Sequence, residues 1–292
     1  MNWALFFAIL SPAIWGLMNV FDTYIAQLRV KNIIGFAMVS AFTNIIFGFI
    51  LALFLSWNTY TISDYFFPIL AGLVMGVQIC FYYFMLSKHD SSHAVGLVYI
   101  YPIIVAILSF LFLNERFSLL GYLGMAIVLI GVLLLNVRIK KLKINLAIWS
   151  ISVVAIGAGF HEFFAKIAVS QISAWNGTAI NSLVMGWFAL ILLLKKKYRV
   201  GFISEIKNVK LTFVSELLTL GGLLTLYLAM EGLPATIVSV VSAAQPLFVL
   251  FFEWVAFSFG IKIVKDINWR HKLFAIAMIA IGLILLYFTD IN

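Results

Sequence analysis

Residues 124–135 read GMAIVLIGVLLL, and residues 275–286 read AIAMIAIGLILL. Both stretches are uninterrupted apolar runs, and both carry a glycine at the same place, Gly131 in the first and Gly282 in the second. Long runs of this kind are typical of membrane-spanning helices, which need about 20 apolar residues to cross the hydrocarbon core. The match between the two indicates that the chain repeats a unit.

The composition places the whole chain in the membrane class. Of its 292 residues, 64% are hydrophobic and 10% are charged, whereas soluble domains are roughly 45–50% apolar and about 25% charged. The alternation typical of membrane β-strands is absent, so helices are the remaining way to cross lipid. We therefore predict an all-α membrane protein of about ten transmembrane helices. The predicted spans are 3–25, 33–56, 66–86, 92–113, 117–137, 145–168, 175–194, 211–231, 235–259 and 271–289.

A second match extends the repeat to spans four and nine. Residues 91–102 and residues 235–246 are both rich in small and β-branched residues, and they end on Pro102 and Pro246. The sequence thus predicts two five-helix repeats, 1–137 and 145–290, joined by a basic linker. Because five is odd, the second copy must enter the membrane from the opposite side. Such inverted repeats are common in secondary transporters.

The basic residues predict the orientation of the chain. Seventeen of the 19 lysines and arginines lie in the loops after spans one, three, five, seven and nine, which share one membrane face. Arg116 lies opposite, and Lys166 lies within a span. The positive-inside rule makes the basic loops cytoplasmic and puts both termini outside.

Composition also argues against several classes of protein. The net charge of +8 comes from short runs between apolar segments, with no aromatic-interleaved patch, so we predict no nucleic-acid binding. The single cysteine, Cys80, excludes an intramolecular disulfide framework and a thiolate metal cluster. No cofactor and no metal are predicted.

Several short motifs are similar to those of one family. They are Trp15-Gly16 in span one, Pro102 to Asn114-Glu115 in span four, Gly121, Gly124 and Gly131 in span five, Ala165-Lys166 in span six, Pro246 in span nine and Gly282 in span ten. With the duplication, they resemble the EamA-like branch of the drug/metabolite transporter superfamily over nearly the whole chain. The resemblance implies ten helices in two halves, and a secondary carrier that exports or exchanges metabolites such as amino acids through a central cavity.

The chain departs from that family in two respects. Span nine ends on residues 257–260, FSFG, where the family pattern has a glutamate, and Glu253 lies two turns earlier, so the role of that glutamate is not carried over. Members of the branch are usually drawn with cytoplasmic termini, whereas the charges here predict the opposite. For orientation we give the local charges more weight.

Polar side chains within the spans are the candidates for binding a substrate or a coupling ion, because they are costly in hydrocarbon unless they face a cavity or a partner. The candidates are Asn19, Tyr82, Tyr99, Tyr101, His161, Glu162, Lys166, Gln245 and Glu253. Pro102 and Pro246 are candidate helix kinks at repeat-related positions, suited to a rocking motion.

Some candidates have two interpretations. Glu162 and Lys166 are four residues apart, which on a helix favours an ion pair, so they are either a structural pair or substrate contacts. Glu253 either meets Lys166 from another helix or binds a proton or a cationic solute. His161 is either a proton-coupling group or a hydrogen-bonded structural residue, and we favour the latter.

Asp22 and Glu216 are predicted to lie at the membrane interface. Asp22 is near the predicted end of span one, close to Arg29, and Glu216 lies in the first turns of span eight. Snorkelling to the interface is the common behaviour of charged residues at span ends. We therefore leave both out of the predicted site.

Taken together, the sequence favours a secondary transporter of a small metabolite that works by alternating access around a central polar cavity. A membrane-embedded enzyme and a channel are the alternatives, but no HExxH, no GxSxG and no repeated filter is present. Buried charge of both signs with aromatics favours a zwitterion or an aromatic amino acid. The predicted partners are this solute, a coupled proton or counter-solute, and the lipid bilayer, with monomer and homodimer both open.

Overall fold

The computed structural model describes residues 3–88, 98–99, 101–136, 146–260 and 269–288, and these form α-helices joined by short turns and loops. The helices are α1 (Trp3–Leu28), α2 (Ile33–Leu53), α3 (Phe66–Lys88), α4 (Tyr101–Phe112), α5 (Leu119–Asn136), α6 (Leu146–Val169), α7 (Ala174–Leu190), α8 (Lys196–Glu205), α9 (Val209–Gly232), α10 (Ala235–Ser242), α11 (Gln245–Ser258) and α12 (Trp269–Tyr287). Turns of 3₁₀ helix occupy Ile62–Tyr65, Ile191–Leu194 and Ile206–Asn208.

The helices in these ranges account for ten spans. Seven helical segments are long and apolar enough to cross a bilayer, and three shorter apolar helices, Tyr101–Phe112, Leu119–Leu134 and Leu273–Leu286, accompany them. The predicted all-α membrane fold with ten helices is confirmed. Residues 92–97 of the predicted fourth span and residues 138–143 of the predicted linker lie outside the described residues.

Both prolines that the sequence singled out lie at the start of a helix. Pro102 is the second residue of α4, and Pro246 is the second residue of α11. The predicted ninth span is therefore two helices, α10 and α11, separated at Ala243–Ala244. Proline has no backbone N–H, so it cannot bond the carbonyl four residues earlier, and it is well tolerated in a first turn.

Hydrogen bonds to Glu115 connect the end of the fourth span to the start of α10. Asn114, with φ of 54°, adopts the left-handed conformation that ends many helices, and the chain turns there. The Glu115 carboxylate then accepts hydrogen bonds from the backbone N–H groups of Ala235 (2.7 Å) and Thr236 (3.0 Å) and from the Thr236 hydroxyl (2.7 Å). A carboxylate at a helix N-terminus satisfies donors that have no partner within the helix.

The basic segment between spans seven and eight is a helix, α8, which the sequence analysis treated as a loop. Most of its side chains are exposed, but Glu205 is buried, with 2% of its surface exposed. Its carboxylate accepts from the backbone N–H groups of Lys31 (3.2 Å) and Asn32 (2.9 Å) at the start of α2. The connection between spans seven and eight is thereby attached to the first loop.

Helices from the two predicted repeats pack directly on one another. α5 packs on α12, α2 on α7, α1 on α9, and α3 on α6. The contact between α5 and α12 is close, because a Cβ at Gly282 would lie 2.6 Å from Val128 Cγ2 and 2.8 Å from the Gly124 carbonyl oxygen. Small residues let membrane helices approach in this way, and the backbones gain packing contacts.

We expect Gly282→Ala to lower the free energy of unfolding by about 1–3 kcal/mol, because its methyl group overfills the α5–α12 contact. Gly221→Ala is the matched control, since the nearest atom to a Cβ there is 3.8 Å away. Thermal unfolding of both variants in detergent measures the difference. Equal stability of the two variants would contradict the packing described.

Candidate functional site

A cavity of about 180 Å³ lies between helices of both predicted halves. Its lining residues come from α1, α2, α3, α4, α6, α7, α9, α10 and α11, together with the turn before α4. A concave, largely apolar space with a few polar groups is the usual form of a small-molecule site. The volume suits a small solute.

Seven of the nine candidate residues line this cavity. They are Asn19, Tyr82, Tyr99, Tyr101, His161, Glu162 and Gln245. Lys166 and Glu253 are not among its described lining residues, although Glu253 is buried on α11. The structure therefore brings together candidates that are separated by up to 226 positions in sequence (residues 19 and 245).

Lys166 makes contacts that the sequence did not predict. Its ammonium donates hydrogen bonds to the backbone carbonyls of Met230 (2.7 Å) and Leu233 (2.8 Å), at the C-terminal end of α9. The expected ion pair with Glu162 is not formed, and neither is the contact with Glu253. A lysine at this position satisfies carbonyls that the helix leaves unpaired and complements the helix dipole.

Asp22 is buried within the bundle, and its prediction as an interfacial residue is wrong. Only 1% of its surface is exposed. Its carboxylate accepts from the Ser215 hydroxyl and, at 3.0 Å, from the Tyr82 hydroxyl, which also lies 2.6 Å from Asn19 Oδ1. Helix α1 continues to Leu28, so Asp22 lies well inside it, beside α3 and α9.

Glu216 is likewise buried, with 2% of its surface exposed, so its interfacial prediction is also wrong. One carboxylate oxygen accepts from the Ser40 hydroxyl and from the Tyr83 hydroxyl (3.4 Å), and the other accepts from the Asn44 amide. The 3₁₀ turn and α8 precede α9, which begins at Val209, so Glu216 sits two turns inside that helix.

Two pairs of consecutive residues connect these carboxylates. On α3, Tyr82 contacts Asp22 and the next residue, Tyr83, contacts Glu216. On α9, Ser215 contacts Asp22, and the next residue is Glu216 itself. We call this group the acidic cluster. Its members are Asp22, Ser40, Asn44, Tyr82, Tyr83, Ser215 and Glu216.

His161 is hydrogen-bonded within a smaller polar group. Its Nε2 lies 2.9 Å from the Asn181 amide nitrogen, which also donates to the Tyr227 hydroxyl at 3.0 Å. The ring of His161 faces that of Tyr227, with centroids 6.4 Å apart. These contacts match the structural interpretation of the histidine.

Glu162 differs from the other cavity carboxylates because it is incompletely bonded. The Tyr101 hydroxyl contacts its carboxylate, but the buried oxygen Oε2 has no hydrogen-bond partner. Gln78, which the sequence analysis did not single out, lines the same cavity, and its amide nitrogen also lacks a partner. A Cβ at Gly157 would lie 2.4 Å from that nitrogen, so the glycine leaves space for the amide.

The polar groups around the cavity can bind and orient a solute. No group of three or more histidine, cysteine or acidic residues in the described part of the chain is placed to hold a metal ion. The site offers carboxylates, hydroxyls, amides and aromatic rings around the cavity. These are groups that bind and orient a solute.

We expect Lys166→Met to lower the free energy of unfolding by about 2–4 kcal/mol, because two charge-assisted hydrogen bonds to the end of α9 are lost. Affinity for any solute in the cavity should change less than about twofold, because Lys166 does not line it. Lys207→Met, at an exposed lysine, is the control for loss of one positive charge. Normal stability with abolished solute binding would show that Lys166 belongs to the site.

Comparison with known proteins agrees with the helical membrane fold. No curated protein matches the chain. A solved crystal structure aligns over 97% of this chain and 96% of its own, with a TM-score of 0.62 and 16% sequence identity, a likeness of fold alone. The model of the EamA-like transporter family matches residues 2–137, so the first half of this multi-pass membrane protein is similar to that family.

Proposed function

We propose that the protein is a secondary transporter that moves a small solute across the membrane by alternating access around the cavity. The observation that carries the proposal is that polar side chains from both halves converge on one cavity within an apolar helical bundle. Intramembrane ionisable residues are costly unless they serve a site of this kind. Amino acids are among the candidate solutes, and export or exchange is the proposed direction.

Alternating access in this proposal depends on two inverted repeats, residues 1–137 and 145–290. The helix contacts support it. Span one (α1) packs on span eight (α9), and the corresponding spans of the other repeat, span six (α6) and span three (α3), also pack on each other. The same correspondence maps the pairs α2–α7 and α5–α12 onto themselves. A twofold exchange of this kind is expected when one repeat can rock against the other.

Individual contacts also support the repeat. Pro102 and Pro246 are 144 positions apart, and so are Leu86 and Met230. The Gln27 amide donates to the Leu86 carbonyl (3.2 Å), as Lys166 donates to the Met230 carbonyl. Carbonyl groups near the ends of α3 and α9, at corresponding positions, thus accept hydrogen bonds from side chains of the corresponding helices α1 and α6.

We further propose that the acidic cluster holds a coupling proton. Tyr82 has one hydroxyl hydrogen but faces two acceptors, Asn19 Oδ1 and Asp22, and a proton on Asp22 supplies the missing hydrogen. Asp22 and Glu216 are buried close together with no lysine or arginine bonded to them. Around them, the titratable groups in contact are Tyr82 and Tyr83 of α3. Two such carboxylates are costly to hold ionised together.

For orientation, we propose that the basic loops face the cytoplasm and that both termini face outside. The helix α8 and the loop after α1 belong to the same face, and they are joined through Glu205. Both carry lysine or arginine residues that are exposed to solvent. The positive-inside rule supports this assignment.

Transport is tested by reconstituting the full chain into liposomes and measuring flux of labelled amino acids, amines and organic acids, with and without a pH gradient. We expect saturable exchange of at least one solute, with a rate that the gradient changes. Asp22→Asn and Glu216→Gln should retain exchange at equal pH and lose the response to the gradient, because each removes a titratable carboxyl from the acidic cluster.

Asp64→Asn is the matched control, since Asp64 lies in an exposed capping turn outside the cavity. It should respond to the gradient as the unmodified protein does. Absence of exchange under every gradient, with the protein shown to be folded, would count against a carrier. A gradient response that persists in both cluster variants would refute the proton site.

A further inference from the structure

The described lining of the cavity contains three carboxyl groups and no lysine or arginine side chain that would compensate an ionised one. Its acidic side chains are Asp22, Glu162 and Glu216, and none of its described lining residues is lysine or arginine. Lys166, the basic residue that the sequence placed among the candidates, is directed to the end of α9. Walls of low dielectric constant concentrate the field of such charges inside a cleft.

Among the three carboxylates, Glu162 is the one with a vacant hydrogen-bonding position. Both oxygens of Asp22 and both oxygens of Glu216 accept hydrogen bonds from neighbouring side chains. Glu162 is 6% exposed, and its buried Oε2 has no donor. A buried acceptor without a donor is unfavourable, so a ligand that supplies the donor gains affinity.

Aromatic side chains next to Glu162 suit a cation. Tyr99 and Tyr101 line the cavity with ring centroids 6.1 Å apart, and the Tyr101 hydroxyl contacts the Glu162 carboxylate. The face of a tyrosine ring attracts an ammonium group, most strongly when both are removed from water. Trp15, on α1, supplies a further apolar wall of the same space.

We propose that the solute carries a net positive charge as an amine, with its ammonium group bound by Glu162 between Tyr99 and Tyr101. The unpartnered amide nitrogen of Gln78 is a donor for a hydroxyl or carbonyl oxygen on the same solute. A free carboxylate on the solute would find no lysine or arginine among the described lining residues and would lie in the same cavity as Glu162, which disfavours a zwitterionic amino acid. This inference rests on the proposed transport function and specifies the substrate class of its cavity.

Three probes that share a phenylethyl group separate the charge classes. They are 2-phenylethylamine, a cation at neutral pH, phenylalanine, a zwitterion, and 2-phenylethanol, which is neutral. Binding to the purified full chain in detergent is measured by calorimetry, with protein-free micelles as the blank. We expect the amine to bind at least about tenfold more tightly than either of the other two, because it alone combines the donor with net positive charge.

Glu162→Gln tests the residue assigned to the ammonium group. It keeps the size of the side chain and removes the charge, so we expect amine binding to weaken by roughly tenfold or more and 2-phenylethanol binding to change less than about twofold. Glu231→Gln is the matched control, because Glu231 bonds the backbone N–H of Ala174 and does not line the cavity. The control should bind the amine as the unmodified protein does.

Several results would overturn the inference. They are equal or tighter binding of phenylalanine, equal binding of the alcohol, no binding of the amine, or unchanged amine binding in a folded Glu162→Gln variant. A failure of this inference can be distinguished experimentally from a failure of the transport proposal. Flux of a neutral or anionic solute without amine binding refutes the substrate class alone, whereas amine binding without flux of any solute refutes transport and leaves the binding site standing.

Discussion

Hydrocarbon offers no hydrogen-bonding partners, so every polar side chain that a span carries must find one inside the protein. In the described structure this requirement decides which faces of the helices turn inward. Glu216 brings α9 against α2 and α3, and Asp22 brings α1 against both α3 and α9. The outward faces carry large apolar side chains such as Phe49, Trp187 and Phe251. The cavity is what remains where the inward polar groups do not pack completely.

Completeness of bonding separates the cavity into two chemically different regions. In the acidic cluster each oxygen of the two carboxyl groups is hydrogen-bonded to a side chain from one of three helices, which fixes the geometry of both groups. One oxygen of Glu162 has no hydrogen-bond donor, and the amide nitrogen of Gln78 has no acceptor. A bound solute would supply both partners. A coupling site benefits from a fixed geometry. A substrate site benefits from polar groups that lack a hydrogen-bond partner until the substrate binds. The two regions have the properties that the two proposed tasks require.

The fold could be predicted from the sequence because each apolar run is about as long as one membrane span. The number and approximate positions of the helices therefore followed from the runs. The site was predicted less well. The positions of Asp22 and Glu216 were misjudged because span ends were estimated from apolar runs, while α1 continues to Leu28 and a separate helix precedes α9. Spacing of four residues suggested that Lys166 pairs with Glu162, but its long side chain reaches carbonyls of another helix. Gln78 carries the same signal as Gln245, a polar side chain inside an apolar run, and was missed.

The proposed repeat also accounts for an asymmetry in the cavity. Gln27 and Lys166 make corresponding contacts and are 139 positions apart, and the same spacing relates Asp22 to His161. Tyr83 and Tyr227, like the two prolines, are 144 positions apart, and each is bonded to a polar residue of the second span of its half, Ser40 or Asn181. In the proposed repeat, the tyrosine is present in both copies, while the corresponding position of the first span is a carboxylate, Asp22, in one copy and an imidazole, His161, in the other. In the proposed inverted arrangement the two copies approach the cavity from opposite faces of the membrane, so this difference would give a solute a different chemical environment on each side.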